Sequence, residues 1–78
     1  MRIEIHLYAT LRRHAPSAPG GVLTLDMPEG GTVLDAIAKL GIDADEVRIV
    51  MIDGVGGDLA STLGEGVRLG LFPAVGGG

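Results

Sequence analysis

Cysteine and tryptophan are absent from this 78-residue chain, and Tyr8 and Phe72 are its only large aromatic side chains. The first absence excludes disulfides, thiolate metal sites and cysteine nucleophiles together. A domain this small without covalent staples stands on its packing alone. With two such rings, that packing falls to Val, Leu, Ile, Ala and Met, and a hydrophobic content of 46% supplies them. Basic residues are also scarce: six Lys and Arg face ten Asp and Glu for a net charge of -4, and Lys39 is the single lysine. Nucleic-acid affinity rests on clustered basic side chains, so no nucleic-acid partner is expected. No apolar run approaches the roughly 18 residues of a membrane span, and the chain opens directly on a strand-like alternation. A cytoplasmic protein without a membrane partner is expected. The length leaves space for one domain and no second catalytic lobe.

What the sequence does contain is alternation. In residues 2–9, Ile3, Ile5, Leu7 and Ala9 fall on one side and Glu4, His6 and Tyr8 on the other, the period of a half-buried strand. Leu11 to Gly21 holds Pro16, Pro19, Gly20 and Gly21 and reads as a linker that continues neither regular element. Val22 to Met27 alternates again with Leu23, Leu25 and Met27 aligned, which predicts an antiparallel pair of strands. Thr32, three residues before Asp35, marks a helix start related to the capping box. Val33, Leu34, Ile37 and Leu40 then lay an apolar stripe along a helix over about 33–40, with Gly41 as its left-handed C-cap.

Val47 to Ile52 reads as a third strand, central or nearly so because both its faces turn apolar, closed by Asp53-Gly54. Gly56 and Gly57 permit a reversal, Asp58-Leu59-Ala60 would add a short edge strand, and Leu63 would plug the core. In the last strand Val67, Leu69 and Leu71 alternate with Arg68, Gly70 and Phe72, and Pro73 ends the ladder because it has no amide hydrogen to donate. One main helix on one face of a mixed four- to five-stranded sheet is an α+β fold of β-grasp type. Residues 1–72 form the domain and 73–78 a flexible C-terminal tail on this reading.

Autonomous chemistry finds little support. His6 lies on the polar side of its strand and His14 in a loop, with no carboxylate cluster at ligand spacing, so no metal site is expected. Gly54-Val55-Gly56-Gly57 lacks the lysine and helix of a phosphate-binding loop. The carboxylates are scattered through turns without an acid or base partner, so the chain is not expected to be catalytic alone.

Four segments carry a family resemblance: Ala9-Thr10-Leu11-Arg12, Thr32-Val33-Leu34-Asp35-Ala36-Ile37, Asp53-Gly54, and Leu71-Phe72-Pro73-Ala74-Val75-Gly76-Gly77-Gly78. Together they resemble the MoaD/ThiS family of ubiquitin-like sulfur carriers, over Ile3 to Gly78. The ending is the specific part. Phe-Pro-x-Val-x-Gly-Gly is similar to the small subunit of molybdopterin synthase, whereas the thiamine carrier is similar mainly in fold and final diglycine. Ala74, where the family often has a second Pro, and Gly76 depart from the pattern.

The resemblance implies that the Gly78 carboxylate, presented with Gly77, is adenylated by an adenylyltransferase related to ubiquitin-activating enzymes. It is then converted to a thiocarboxylate by a sulfur donor of cysteine desulfurase or rhodanese type. The large subunit of molybdopterin synthase, or a thiazole synthase, consumes the sulfur. No bound cofactor is implied, ATP being used by the activating partner. The resemblance also implies a partner-binding surface of Phe72, Pro73, Leu59, Arg12, Val75 and Gly76. The residues suit this chemistry: glycines without a Cβ thread narrow channels, and the tail from Pro73 reaches at most about 20 Å when extended. Core packing is the rival reading of Phe72. A frayed end is the rival reading of the terminal glycines. A ubiquitin-like modifier or binding module is the alternative of another class.

Overall fold

The alternation of Ile3, Ile5 and Leu7 becomes β1 (Arg2–Leu7), with those three side chains essentially inaccessible to solvent. In the computed structural model, which describes residues 1–74, β1 pairs antiparallel with β2 (Val22–Asp26) and parallel with β5 (Arg68–Pro73). On the other side of β5 runs β3 (Val47–Ile52), and beyond it lies the edge strand β4 (Val55–Gly57). The sheet order is β2-β1-β5-β3-β4, so the last strand of the chain is the central one and β3 stands next to it. Helix α1 (Val33–Lys39) packs Val33, Ala36 and Ile37 against Ile3, Ile5, Leu7, Val50, Leu69 and Leu71. The fold is a ubiquitin-like β-grasp: a five-stranded mixed sheet with one main helix on one face.

The helix start follows from the sequence. The Asp35 amide donates to Thr32 Oγ1 at 3.3 Å and the Thr32 amide to Asp35 Oδ2 at 2.9 Å, a reciprocal capping box built with Asp in place of Glu. Gly41, with φ +75°, follows the helix in the left-handed conformation that a side chain would strain. Leu34 departs from expectation, being 48% exposed. Successive helical residues are turned by about 100°, which carries Leu34 out of the stripe formed by Val33, Ala36, Ile37 and Leu40.

Three further expectations are corrected. First, β1 stops at Leu7: Ala9 has φ +52° and opens a 3-10 turn, Ala9–His14. This turn stands where an unstructured linker was expected, and it drives Leu11 fully into the core. Second, Gly56 and Gly57 are not the reversal. The chain turns at Asp53-Gly54, both at positive φ (51° and 81°), as a two-residue type I′ connection requires. Third, the short edge strand is Val55–Gly57, not Asp58-Leu59-Ala60. The two-residue turn sets Val55 opposite Ile52, while Asp58 folds back on its own loop, taking the Ala60 amide on Oδ1 at 2.9 Å. Leu63 does fill the core.

Val75, Gly76, Gly77 and Gly78 lie outside the described residues, and with them the expectations placed on the tail. No helix among the described residues is long and apolar enough to cross a membrane.

Candidate functional site

The sheet has one face covered by α1 and one left open, and the strand registers determine what the open face carries. Glu4 and His6 project there from β1, Arg68, Gly70 and Phe72 from β5, and Ile49 and Met51 from β3. Gly70 lies between His6 and Met51 in the ladder. Because it has no side chain, the sheet sinks at that point into a shallow hollow of about 220 Å³. His6, Tyr8, Met51, Arg68 and Phe72 form its rim. The Tyr8 and Phe72 rings stack with centroids 4.3 Å apart, and His6 continues the row at 6.5 Å from Tyr8. Tyr8, at 36%, and Ile49, at 51%, are large hydrophobic side chains left accessible on or beside this face. Exposed apolar surface of this kind, contiguous and rimmed by polar groups, is a mark of interaction sites.

Two carboxylates hold the neighbouring polar groups. Glu4 Oε2 accepts from His6 Nε2 at 2.5 Å, with Arg68 Nε at 3.6 Å. Hydrogen bonding from His6 outweighs partial desolvation and, with the Arg68 charge, keeps the Glu4 carboxyl below its ordinary range. Glu46 accepts from His14 Nε2 at 3.1 Å, from the Asp43 amide at 3.2 Å and from Arg13. Its carboxyl is likewise lowered, first by the His14 hydrogen bond and then by the Asp43 amide and the nearby cations, against desolvation. Among the described residues no group of three His, Asp or Glu side chains is placed to hold a metal ion.

The sequence-expected partner residues are only partly brought together. Phe72 is half-buried on the open face, stacked on Tyr8 and not inserted among the core side chains. Pro73 is the last residue of β5, opposite Val47, and the Ala74 amide donates to the Glu46 carbonyl at 3.2 Å. Arg12 sits in the 3-10 turn that packs on β5, its Nε donating to the Leu7 carbonyl at 3.3 Å. Leu59 stands apart. Its carbonyl accepts from the Leu34 amide and its side chain packs on the core, so it belongs to the helix layer and not to the Phe72 face. The implied roles of Val75, Gly76, Gly77 and Gly78 fall outside the described residues.

Tyr8, Met51 and Ile49 were missed as surface candidates. The period-2 phase already put Tyr8 on the side away from the core. What that phase lacked was the parallel β1-β5 pairing that sets Tyr8 beside Phe72.

No family model and no curated protein matches the chain. Solved structures do. The crystal structure of SAMP1 from Haloferax volcanii is 26% identical, with all of both chains covered and a TM-score of 0.71. The crystal structure of H. volcanii small archaeal modifier protein 1 is 25% identical, with 95% of this chain and 98% of that one covered and a TM-score of 0.70. A protein from Pyrococcus furiosus provisionally named molybdopterin converting factor, subunit 1, is 22% identical, with 96% and 99% covered and a TM-score of 0.73. The last likeness is one of fold. These three structures are small ubiquitin-like proteins of nearly the same length, and this chain has their fold.

Proposed function

We propose that this chain is a sulfur carrier that works through the carboxylate of Gly78 and serves molybdopterin synthesis. The observation that supports the reading most is the route of β5. The central strand of the sheet runs from its buried Leu69 and Leu71 through Phe72-Pro73 straight into the segment that ends Gly76-Gly77-Gly78, beside an open apolar face. In the proposed sequence a carboxylate oxygen of Gly78 attacks the α-phosphorus of ATP on a separate adenylyltransferase, and pyrophosphate leaves. The outer sulfur of a persulfide on a desulfurase- or rhodanese-type donor then attacks the acyl carbon and displaces AMP. A second thiol cleaves the resulting acyl disulfide, releasing the thiocarboxylate and leaving a disulfide between that thiol and the donor cysteine. A synthase subunit that grips the Tyr8-Phe72 face takes that sulfur, and the tail brings the reacting carbon to it. The chain itself supplies no acid, base or metal to these steps.

A modifier role is the second reading, favoured by the likeness to SAMP1 and small archaeal modifier protein 1. The same adenylate would then be attacked by a lysine amine of a target protein, forming an amide bond and releasing AMP and a proton. Intact-mass analysis separates the two. Incubation with ATP, an adenylyltransferase and a sulfur donor is expected to add the mass difference between one sulfur and one oxygen. Conjugates joined through Gly78, with no such mass gain, would instead establish the modifier.

A further inference from the structure

Phe72 and Ala74 are each held by a different part of the fold, and between them stands a residue that cannot be held by its amide. Phe72 is stacked under Tyr8. Pro73 has no N–H. The Ala74 amide is therefore the first backbone donor after Phe72, and it goes to the carbonyl of Glu46, immediately before β3. The Glu46 side chain is 22% exposed, and both its carboxylate oxygens are engaged by groups of the chain itself. Oε1 takes Arg13 and His14 from the 3-10 turn that follows Tyr8, and Oε2 takes the Asp43 amide. One residue thus joins three segments: the turn after β1, the start of β3 and the end of β5. The register of β3 against β5 shifts between Val47 and Ile49, next to this junction.

We infer that Glu46 is a positioning residue that fixes the point and direction from which the chain leaves the sheet toward Gly78. This deepens the carrier reading and rests on it. A cap of the short 3-10 turn Ala44–Glu46 needs only the Asp43 amide. The side-chain links to Arg13 and His14 exceed that need, and they anchor the same residue whose backbone carbonyl takes the Ala74 amide at the root of the tail. A reacting carboxylate at the end of a short tether gains from a fixed origin, because misplacement by about 1 Å costs rates up to about a hundredfold.

The test compares full-length wild type, Glu46→Ala and, as a control on the opposite layer, Asp35→Ala, which removes one half of the α1 capping box. Hydrogen exchange of the Ala74 amide and ATP-pyrophosphate exchange with the adenylyltransferase are measured. In Glu46→Ala, Ala74 exchange is expected to rise about tenfold and kcat to fall about tenfold with KM little changed, the docking face being intact. Asp35→Ala should move neither. If the alanine variant is too unstable to compare, Glu46→Gln keeps one carbonyl acceptor, enough for either the Asp43 amide or His14, loses the Arg13 ion pair, and should raise Ala74 exchange about threefold. Unchanged Ala74 exchange, or faster exchange with unchanged kcat, overturns the inference. A wild-type chain that is never adenylated overturns the carrier reading instead, and Ala74 exchange in the free protein still decides the clamp.

Discussion

Tyr8 and Phe72, the chain's two large aromatic residues, lie ring on ring within 1° of parallel although 64 positions separate them. The parallel register of β1 and β5 sets Leu7 opposite Leu71, and the Tyr8 amide donates to the Leu71 carbonyl at 3.1 Å, which brings the next residue of each strand together. The pair closes the open face at the end where β5 hands over to the tail. Sheet architecture and the proposed docking surface therefore meet where the chain leaves the sheet for the tail.

Phe72→Ala is expected to damage binding more than folding. The ring is half-buried on the open face, so its loss should cost about 1–2 kcal/mol, below the ~3–5 kcal/mol of a core Phe. Affinity for a synthase or activating partner should fall by about 2 kcal/mol, roughly thirtyfold. Titration calorimetry and thermal melts read the two effects apart. A steep fall in melting temperature with unchanged affinity would return Phe72 to the core.

Gly70 gives an independent handle on the same face. A Cβ there would stand 3.5 Å from Tyr8 Cε2 and 3.7 Å from Met51 Cβ, ordinary contact distances. Gly70→Ala should therefore fold well and melt about 4 °C higher, since Gly inside a strand costs about 0.5–1 kcal/mol relative to Ala. Gly70→Leu, which fills the hollow, should weaken partner binding about tenfold. Wild-type affinity in the leucine variant would remove the hollow from the interface.

The fold was legible wherever a residue's environment is set by its close neighbours in sequence. Thr32 and Asp35 bond each other three residues apart, and Asp53-Gly54 needs only its own dihedral angles. The misread residues depend on distant partners. Leu11 looks like linker because the cavity it fills is lined by strands and a helix far along the chain. Leu59 resembles an edge strand until the Leu34 amide claims its carbonyl. The tail motif was legible as a motif, but the Glu46 contact at its root joins residues 28 positions apart and has no local signature.

Leu11→Ala measures that non-local dependence. A linker leucine would cost less than about 0.5 kcal/mol, whereas a fully buried one costs about 2–5 kcal/mol. We expect a loss near 3 kcal/mol, a large share of the roughly 5–15 kcal/mol of a typical domain. Urea unfolding reads this directly, and a midpoint indistinguishable from wild type would contradict the burial of Leu11.

Acid should destabilise the fold in a defined window. Glu4, held mainly by His6, and Glu46, held mainly by His14, both ionise below their ordinary value of 4.5. Carboxyls with depressed folded-state pKa values stabilise the fold above the unfolded value, and that contribution is lost as pH falls through the folded one. Melting temperature should thus drop from about pH 4.5 downward, with a shallower acid limb in the Glu4→Gln/Glu46→Gln double variant. Identical limbs in the two proteins would show that these carboxyls are not the groups responsible.

Deleting Gly78 separates the terminus from the fold. The deletion touches none of the described core residues, Ile3 to Leu71, so the thermal midpoint is expected to stay within about 1 °C of wild type. Adenylation by the activating enzyme should be abolished nonetheless, because the carboxylate is drawn back by one residue, about 3.5 Å, from the position where it meets the α-phosphorus. An added residue after Gly78 moves the carboxylate equally far the other way and places a Cβ where the final glycine had none, so it should be as damaging. Pyrophosphate exchange measures both variants against wild type. Normal exchange by the truncated chain would mean that the reactive group is not the Gly78 carboxylate, whereas loss of exchange with an unchanged melting curve places the chemistry at the terminus and the stability in the sheet.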